Sequence, residues 1–139
     1  MAQGVDLTGR RAVVTGASSG LGSETARALA ATGAAVTLSV RDMAAGERVA
    51  KDITASTGNH EVHVAHLDLA DSASVTAFTA AWRGPLHVLV NNAGVMACPE
   101  QYTEQAWEWQ FVTNHLGHFA SPQDCTTRWP PTATRASSW

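Results

Sequence analysis

The sequence predicts an α/β fold built on a doubly wound parallel sheet. From Arg11 onward, short β-branched or apolar runs alternate with Ala-rich stretches of helical spacing, the mark of successive βαβ units. Each helical stretch also carries its own stop signal, at Gly33, Gly58 and Gly84-Pro85. A glycine-rich turn, finally, falls directly between the first strand and the first helix.

The elements follow in order. Arg11 to Thr15 (RAVVT) reads as the first strand, and Leu21 to Thr32 as a helix whose small apolar residues recur at helical spacing before Gly33 ends it. Ala35 to Val40 (AVTLSV) reads as the second strand. Asp42 is placed to cap a helix running to about Thr57 and stopping at Gly58. Glu61 to Leu67 is the third strand, Asp71 or Ser72 caps a helix to Trp82, and Gly84-Pro85 breaks it. Leu86 to Val90 (LHVLV) then reads as a fourth strand buried on both faces. Thr103 caps a last helix from roughly Glu104 to Ala120, which gives four strands and four helices, a little more than half of a doubly wound sheet. After Ala120 the composition changes. Ser121 to Trp139 has three prolines, many Ser and Thr residues and no apolar period, so the expectation is an irregular tail that supplies no strand.

Composition narrows the function. The 139 residues are 45% hydrophobic and 15% charged, as in an ordinary globular domain. A net charge of −3, with nine Lys and Arg residues scattered along the chain, gives no basic stripe for nucleic acid. No apolar run reaches the roughly 18 residues a membrane span needs, and residues 1–11 lack the pattern of an export signal, so a cytoplasmic protein is expected. Cys98 and Cys125 are too isolated for a disulfide framework or a zinc site and read as free thiols. His60, His63 and His66 recur every third residue, whereas a strand places every second residue on one face, so they do not converge on a metal. His115 and His118 share a helix face with no further ligand placed beside them, and Trp107 and Trp109 cannot share one.

The chemistry concentrates in the glycine turn. In Thr15-Gly16-Ala17-Ser18-Ser19-Gly20-Leu21-Gly22, backbone N–H groups and a helix N-terminus are presented to an anion such as a pyrophosphate. Gly16 permits the tight turn, Gly20 a close approach of backbone to phosphate, and Gly22 close packing of helix on strand. Ser18 and Ser19 add hydroxyls, and Leu21 opens the helix. Arg41 closes the second strand, where a carboxylate would accept from the ribose 2′-OH of NAD and a cation favours a 2′-phosphate, so NADP is expected over NAD.

TGASSGLG followed by Asn91-Asn92-Ala93-Gly94 resembles the short-chain dehydrogenase/reductase family, and Asn114-His115-Leu116-Gly117-His118-Phe119 is similar to its retinol-dehydrogenase-like branch. The resemblance covers residues 5–120, which it implies are an incomplete Rossmann-type NAD(P)-binding domain, with 121–139 as the tail. It implies that Asp68 and Leu69 hold the adenine, that Asn91, Ala93 and Gly94 form the turn lining the ribose, and that Asn114 is a catalytic residue holding a water in a proton relay. The family also uses a Ser, and a Tyr followed four residues later by a Lys. Here Tyr102 is followed at that spacing by Ala106, and Lys51 precedes the fourth strand, so no such motif occurs.

Three functions follow as expectations. The first is an NADP-dependent oxidoreductase of carbonyl or alcohol substrates, of which this is a truncated product. The second is a non-catalytic dinucleotide-binding fragment, able to pair with full-length relatives through its last helix. The third is a product with no function. Substrate and oligomeric state stay open. One reading of the tail is a frameshift after Ala120: re-read one base earlier, Asp124-Cys125 forces Leu and Trp129-Pro130 forces Ala. One permitted solution is LATGLHDALAADGNARIVV, a helix, a short loop and the start of a buried strand. Sequencing the gene tests this; the absence of an extended alternative frame contradicts it.

Overall fold

The computed structural model describes residues 4–94 and the strand Thr134–Ser137. Its elements are β1 (Arg11–Thr15), α1 (Gly20–Ala31), β2 (Ala35–Val40), α2 (Met43–Thr57), β3 (Val62–His66), α3 (Ser72–Ala81), β4 (Val88–Asn91) and β5 (Thr134–Ser137). All strands are parallel, in the order β3-β2-β1-β4-β5. The chain therefore winds outward from β1 through β2 to β3, then returns to place β4 on the other side of β1. That reversal opens a crevice at the carboxyl ends of β1 and β4.

β1 is apolar on both faces because both are covered. Ala12 and Val14 join one core with Val36, Leu38 and Val40 of β2, Ala26 and Ala30 of α1, and Ala50 and Ile53 of α2. Val13 points the other way, into a second core with Leu67, Leu69, Val75, Phe78, Trp82, Leu86 and Leu89. The period-two alternation of one strand thus serves two layers: α1 and α2 on one face, α3 on the other. Gly46 lets α2 lie against the sheet, since a Cβ there would come within 2.6 Å of Val40 and 2.8 Å of Val64.

The expected caps form. The Asp42 carboxylate accepts from Ala45 N at 3.1 Å, and that of Asp71 from Ala73 N at 2.9 Å. Gly58 ends α2 in the left-handed conformation, at φ 73°. Asn59 then donates to Ala30 O and Ala34 O, both at 2.9 Å, fastening the exit of α2 to the α1–β2 corner. Boundaries shift slightly: α1 starts at Gly20, α3 ends at Ala81, and β4 starts at Val88 and runs through Asn91. Leu86 is buried in the second core but precedes the ladder.

One expectation is corrected. The segment after Ala120 does supply a strand, β5, paired in register with β4 from Val88↔Thr134 to Asn91↔Ser137. Apolar periodicity reports which side chains are buried, whereas a ladder needs only backbone donors and acceptors. The side of β4 turned away from β1 offers a row of them, and Thr-Arg-Ala-Ser can pair with it without any apolar period. The last predicted helix, with Asn114, His115, His118, Trp107 and Trp109, and both cysteines lie outside the described residues.

At the amino ends of the strands, Arg11 and His87 pair twice. Arg11 N donates to His87 Nδ1 at 3.0 Å, and His87 N donates to Arg11 O at 2.9 Å. The Arg11 guanidinium also lies 4.6 Å from the centre of a Trp82 ring. Burial, then the charges of Arg10 and Arg11, hold His87 below its ordinary pKa. A protonated Nδ1 cannot accept from Arg11 N. The stability contributed by the neutral ring is therefore complete above the ordinary histidine value and is lost as pH falls through the lower folded value. Between about pH 8 and about pH 5, the melting temperature of the native chain should fall more steeply than that of His87→Asn, whose amide oxygen stays neutral. Parallel curves would contradict this account.

Candidate nucleotide-binding site

The loops after β1, β2, β3 and β4 enclose a cleft of about 370 Å³ at the carboxyl edge of the sheet. That is within the size range of small-molecule sites. Its lining includes Gly16, Ser18, Ser19, Leu21, Arg41, Asp68, Leu69, Ala93 and Gly94, all singled out in the sequence. It also includes Thr15, Ser39, Asp42, Leu67 and Asn92. Of these five, Asp42 is read from the sequence only as a cap and Thr15 and Asn92 only as members of their motifs. Gly20, Gly22 and Asn91 are not in the lining. Gly20 sits at the start of α1, Gly22 is packed beneath the loop, and Asn91 is buried at the end of β4.

The Thr15 hydroxyl organises the junction. Its Oγ1 accepts from Asn92 N and from Ala93 N, each at 3.0 Å, and donates to Val90 O at 3.4 Å. From the other direction, Asn92 Nδ2 donates to Thr15 O at 3.2 Å and to Gly16 O at 3.4 Å. The two loops are so close that a Cβ on Gly16 would stand 2.6 Å from Ala93 Cα, and Gly16 also needs φ +64°. A Cβ on Gly22 would stand 2.4 Å from Gly16 O and 2.5 Å from Asn92 Nδ2. Gly16 N, in turn, donates to Ser39 O at 3.0 Å, tying the loop to β2.

The cleft has an electropositive end. Ser19 occupies the N-cap of α1 in an extended conformation and makes no side-chain cap, and no acidic residue stands in the first turn. The partial positive charge of the helix N-terminus is thus left for a ligand. Arg41 is exposed at the end of β2 and forms no ion pair among the described residues. After β3, Asp68 is built into a local turn: its Oδ1 accepts from Ala70 N at 3.0 Å, and its own N–H donates to Ser74 Oγ at 2.9 Å. The capping role falls to Asp71.

The family model for short chain dehydrogenase matches residues 10–133. The chain belongs to the short-chain dehydrogenase family. Within it, the chain is retinol-dehydrogenase-like: human retinol dehydrogenase 11 is 50% identical over 118 residues, 83% of this chain and 37% of its own length. A Streptomyces lividans protein named "Probable oxidoreductase" is 56% identical over 117 residues, 84% of this chain and 39% of its own. The chain thus spans less than two-fifths of the length of these two relatives. Among solved structures, a metagenomic short-chain oxidoreductase in complex with NADP is 34% identical, with a TM-score of 0.74 over 85% of this chain and 55% of its own. One from Burkholderia phymatum in complex with NAD is 27% identical, with a TM-score of 0.78 over 95% of this chain and 49% of its own.

Among the described residues, no three His, Cys, Asp or Glu side chains are grouped to hold a metal ion. His63 lies 3.3 Å from Glu61, and His66 faces Ser74. No described helix is long and apolar enough to cross a membrane.

Replacing Thr15 tests the junction directly. Thr15→Val keeps the shape but strands the Ala93 amide and leaves Asn92 N only its bond to Val90 O, and should cost about 1–3 kcal/mol in urea unfolding. Thr15→Ser keeps the oxygen and loses a methyl group, costing about 1 kcal/mol. A valine variant at least as stable as the serine variant would contradict the assigned bonds.

Proposed function

We propose that the cleft binds NADP, and that the chain derives from an oxidoreductase of carbonyl or alcohol substrates. The observation that carries the cofactor reading is the pairing, on one cleft, of an uncapped α1 N-terminus with the exposed Arg41. The helix end, reached over Gly16 and Gly20, suits a pyrophosphate, with Ser18 and Ser19 adding hydroxyl donors. Arg41 suits a 2′-phosphate, through its planar fork of donors. Asp68, Leu69, Ala93 and Gly94 complete the adenosine side in this reading. Gly22 and Asn91 act beneath the surface, by letting helix and strand approach and by ending β4. Relatives hold either NADP or NAD, so the preference rests on Arg41.

When bound, the nicotinamide gives or takes a hydride. The chain's own residues would hold the dinucleotide, orient its phosphates and exclude water from the cleft floor. By family resemblance Asn114 would hold a water in the proton relay. The 139 residues contain one Tyr and one Lys, Tyr102 and Lys51, which do not form the Tyr-x-x-x-Lys motif. For the chain by itself, the reading is therefore cofactor binding without turnover.

The test is thermal stabilisation of the purified chain by NADPH and by NADH, with and without Arg41→Ala. A ligand at about a hundred times its Kd adds about 2.7 kcal/mol to the folded state. NADPH should raise the melting temperature more than NADH does, and Arg41→Ala should bring the two together. NADPH should not be consumed with carbonyl substrates. Equal shifts in the native chain would overturn the NADP preference, no shift with either would overturn the binding site, and turnover would overturn the non-catalytic reading.

A further inference from the structure

Ser39 is a polar residue where the pattern calls for an apolar one. It lies one residue before the end of β2, between Leu38 and Val40, and pairs in register with Thr15 of β1 and Ala65 of β3. Leu38 and Val40 belong to the core beneath α1 and α2. Alternation along the strand therefore turns Ser39 to the opposite face, at the carboxyl edge, where it lines the cleft. It is 1% exposed, and its Oγ has no hydrogen-bond partner among the described residues.

A buried hydroxyl without a partner costs free energy, and native structures rarely leave one so. Its neighbour Thr15 is the contrast, a hydroxyl at the same level of the sheet with three backbone partners. Ser39 is otherwise fixed in place, because its carbonyl oxygen receives Gly16 N. An oriented hydroxyl, able both to donate and to accept, is thus held in the floor of a ligand cleft with nothing in the described chain to meet it.

We infer that Ser39 is a ligand-binding residue whose hydroxyl is completed by a polar atom in the adenosine half of the dinucleotide. This rests on the reading of the cleft as a dinucleotide site. The choice of half follows from position: Ser39 and Arg41 are two residues apart along the second strand, a rise of about 6.6 Å. Arg41 is the group proposed to take the 2′-phosphate of the adenosine ribose. The base and ribose joined to that phosphate are the parts within reach of Ser39.

Ser39→Ala in the full 139-residue chain tests this with two probes, NADPH and adenosine 2′,5′-bisphosphate, titrated calorimetrically, and with the melting temperature of the ligand-free protein. The variant should melt at or above the native temperature, since it removes a buried group with no partner. It should bind both probes about threefold to tenfold more weakly, the range of one net hydrogen bond. A melting temperature lowered by several degrees would show that the hydroxyl has a partner inside the protein and overturn the assignment. Unchanged affinity, or a loss confined to NADPH, would overturn it too. If the native chain binds neither probe, the dinucleotide reading itself fails; if it binds and the variant binds equally well, only the role of Ser39 fails.

Discussion

The cleft depends on one side-chain oxygen. Thr15 ends β1 at the point where the sheet changes direction, and its hydroxyl receives the amides of Asn92 and Ala93 as the chain leaves β4. Without those bonds, the Ala93 amide would need water to satisfy it, and water between the loops would push them apart. With them, the loops close to a separation that admits only a hydrogen at Gly16 and at Gly22. Those glycines are thus consequences of the contact. Asn92 completes the junction by returning two bonds to the carbonyl oxygens of Thr15 and Gly16.

From that junction outward, the site is assembled by backbone. The α1 N-terminus, the Gly16 amide held by Ser39 O, and the turn after β4 are positioned by main-chain bonds and by close packing of small residues. Two charged side chains that follow the neighbouring strands β2 and β3, Arg41 and Asp68, join these backbone groups in the lining. Under the proposed cofactor reading, a site built mainly from backbone leaves the choice between related cofactors to single substitutions at the rim, while the fold beneath stays the same.

Much of this was legible in the sequence, for physical reasons that can be named. β1 and β2 have the predicted bounds because both strands are covered on both faces and read as short β-branched and apolar runs, RAVVT and AVTLSV. The caps at Asp42, Asp71 and Gly58 are local, so the residues that make them adjoin the helices they end. The glycine loop was legible because its spacing reflects the backbone itself. β5 was not, because edge pairing needs no side-chain signature. Ser39 and Leu67 escaped as site residues because lining a cleft depends on which strand ends the topology brings together. A hydroxyl late in the buried run AVTLSV was the available signal.

The account makes the Thr15 junction a native part of the folded core, and amide hydrogen exchange on the ligand-free chain reports on it residue by residue. The amide of Ala93, whose acceptor is Thr15 Oγ1, should be protected to an extent approaching those of β1, because it opens only when β1 and β4 separate. Its exchange at the rate of an unstructured chain, while β1 stays protected, would show that the β4 loop is not held by Thr15 and would contradict the central claim.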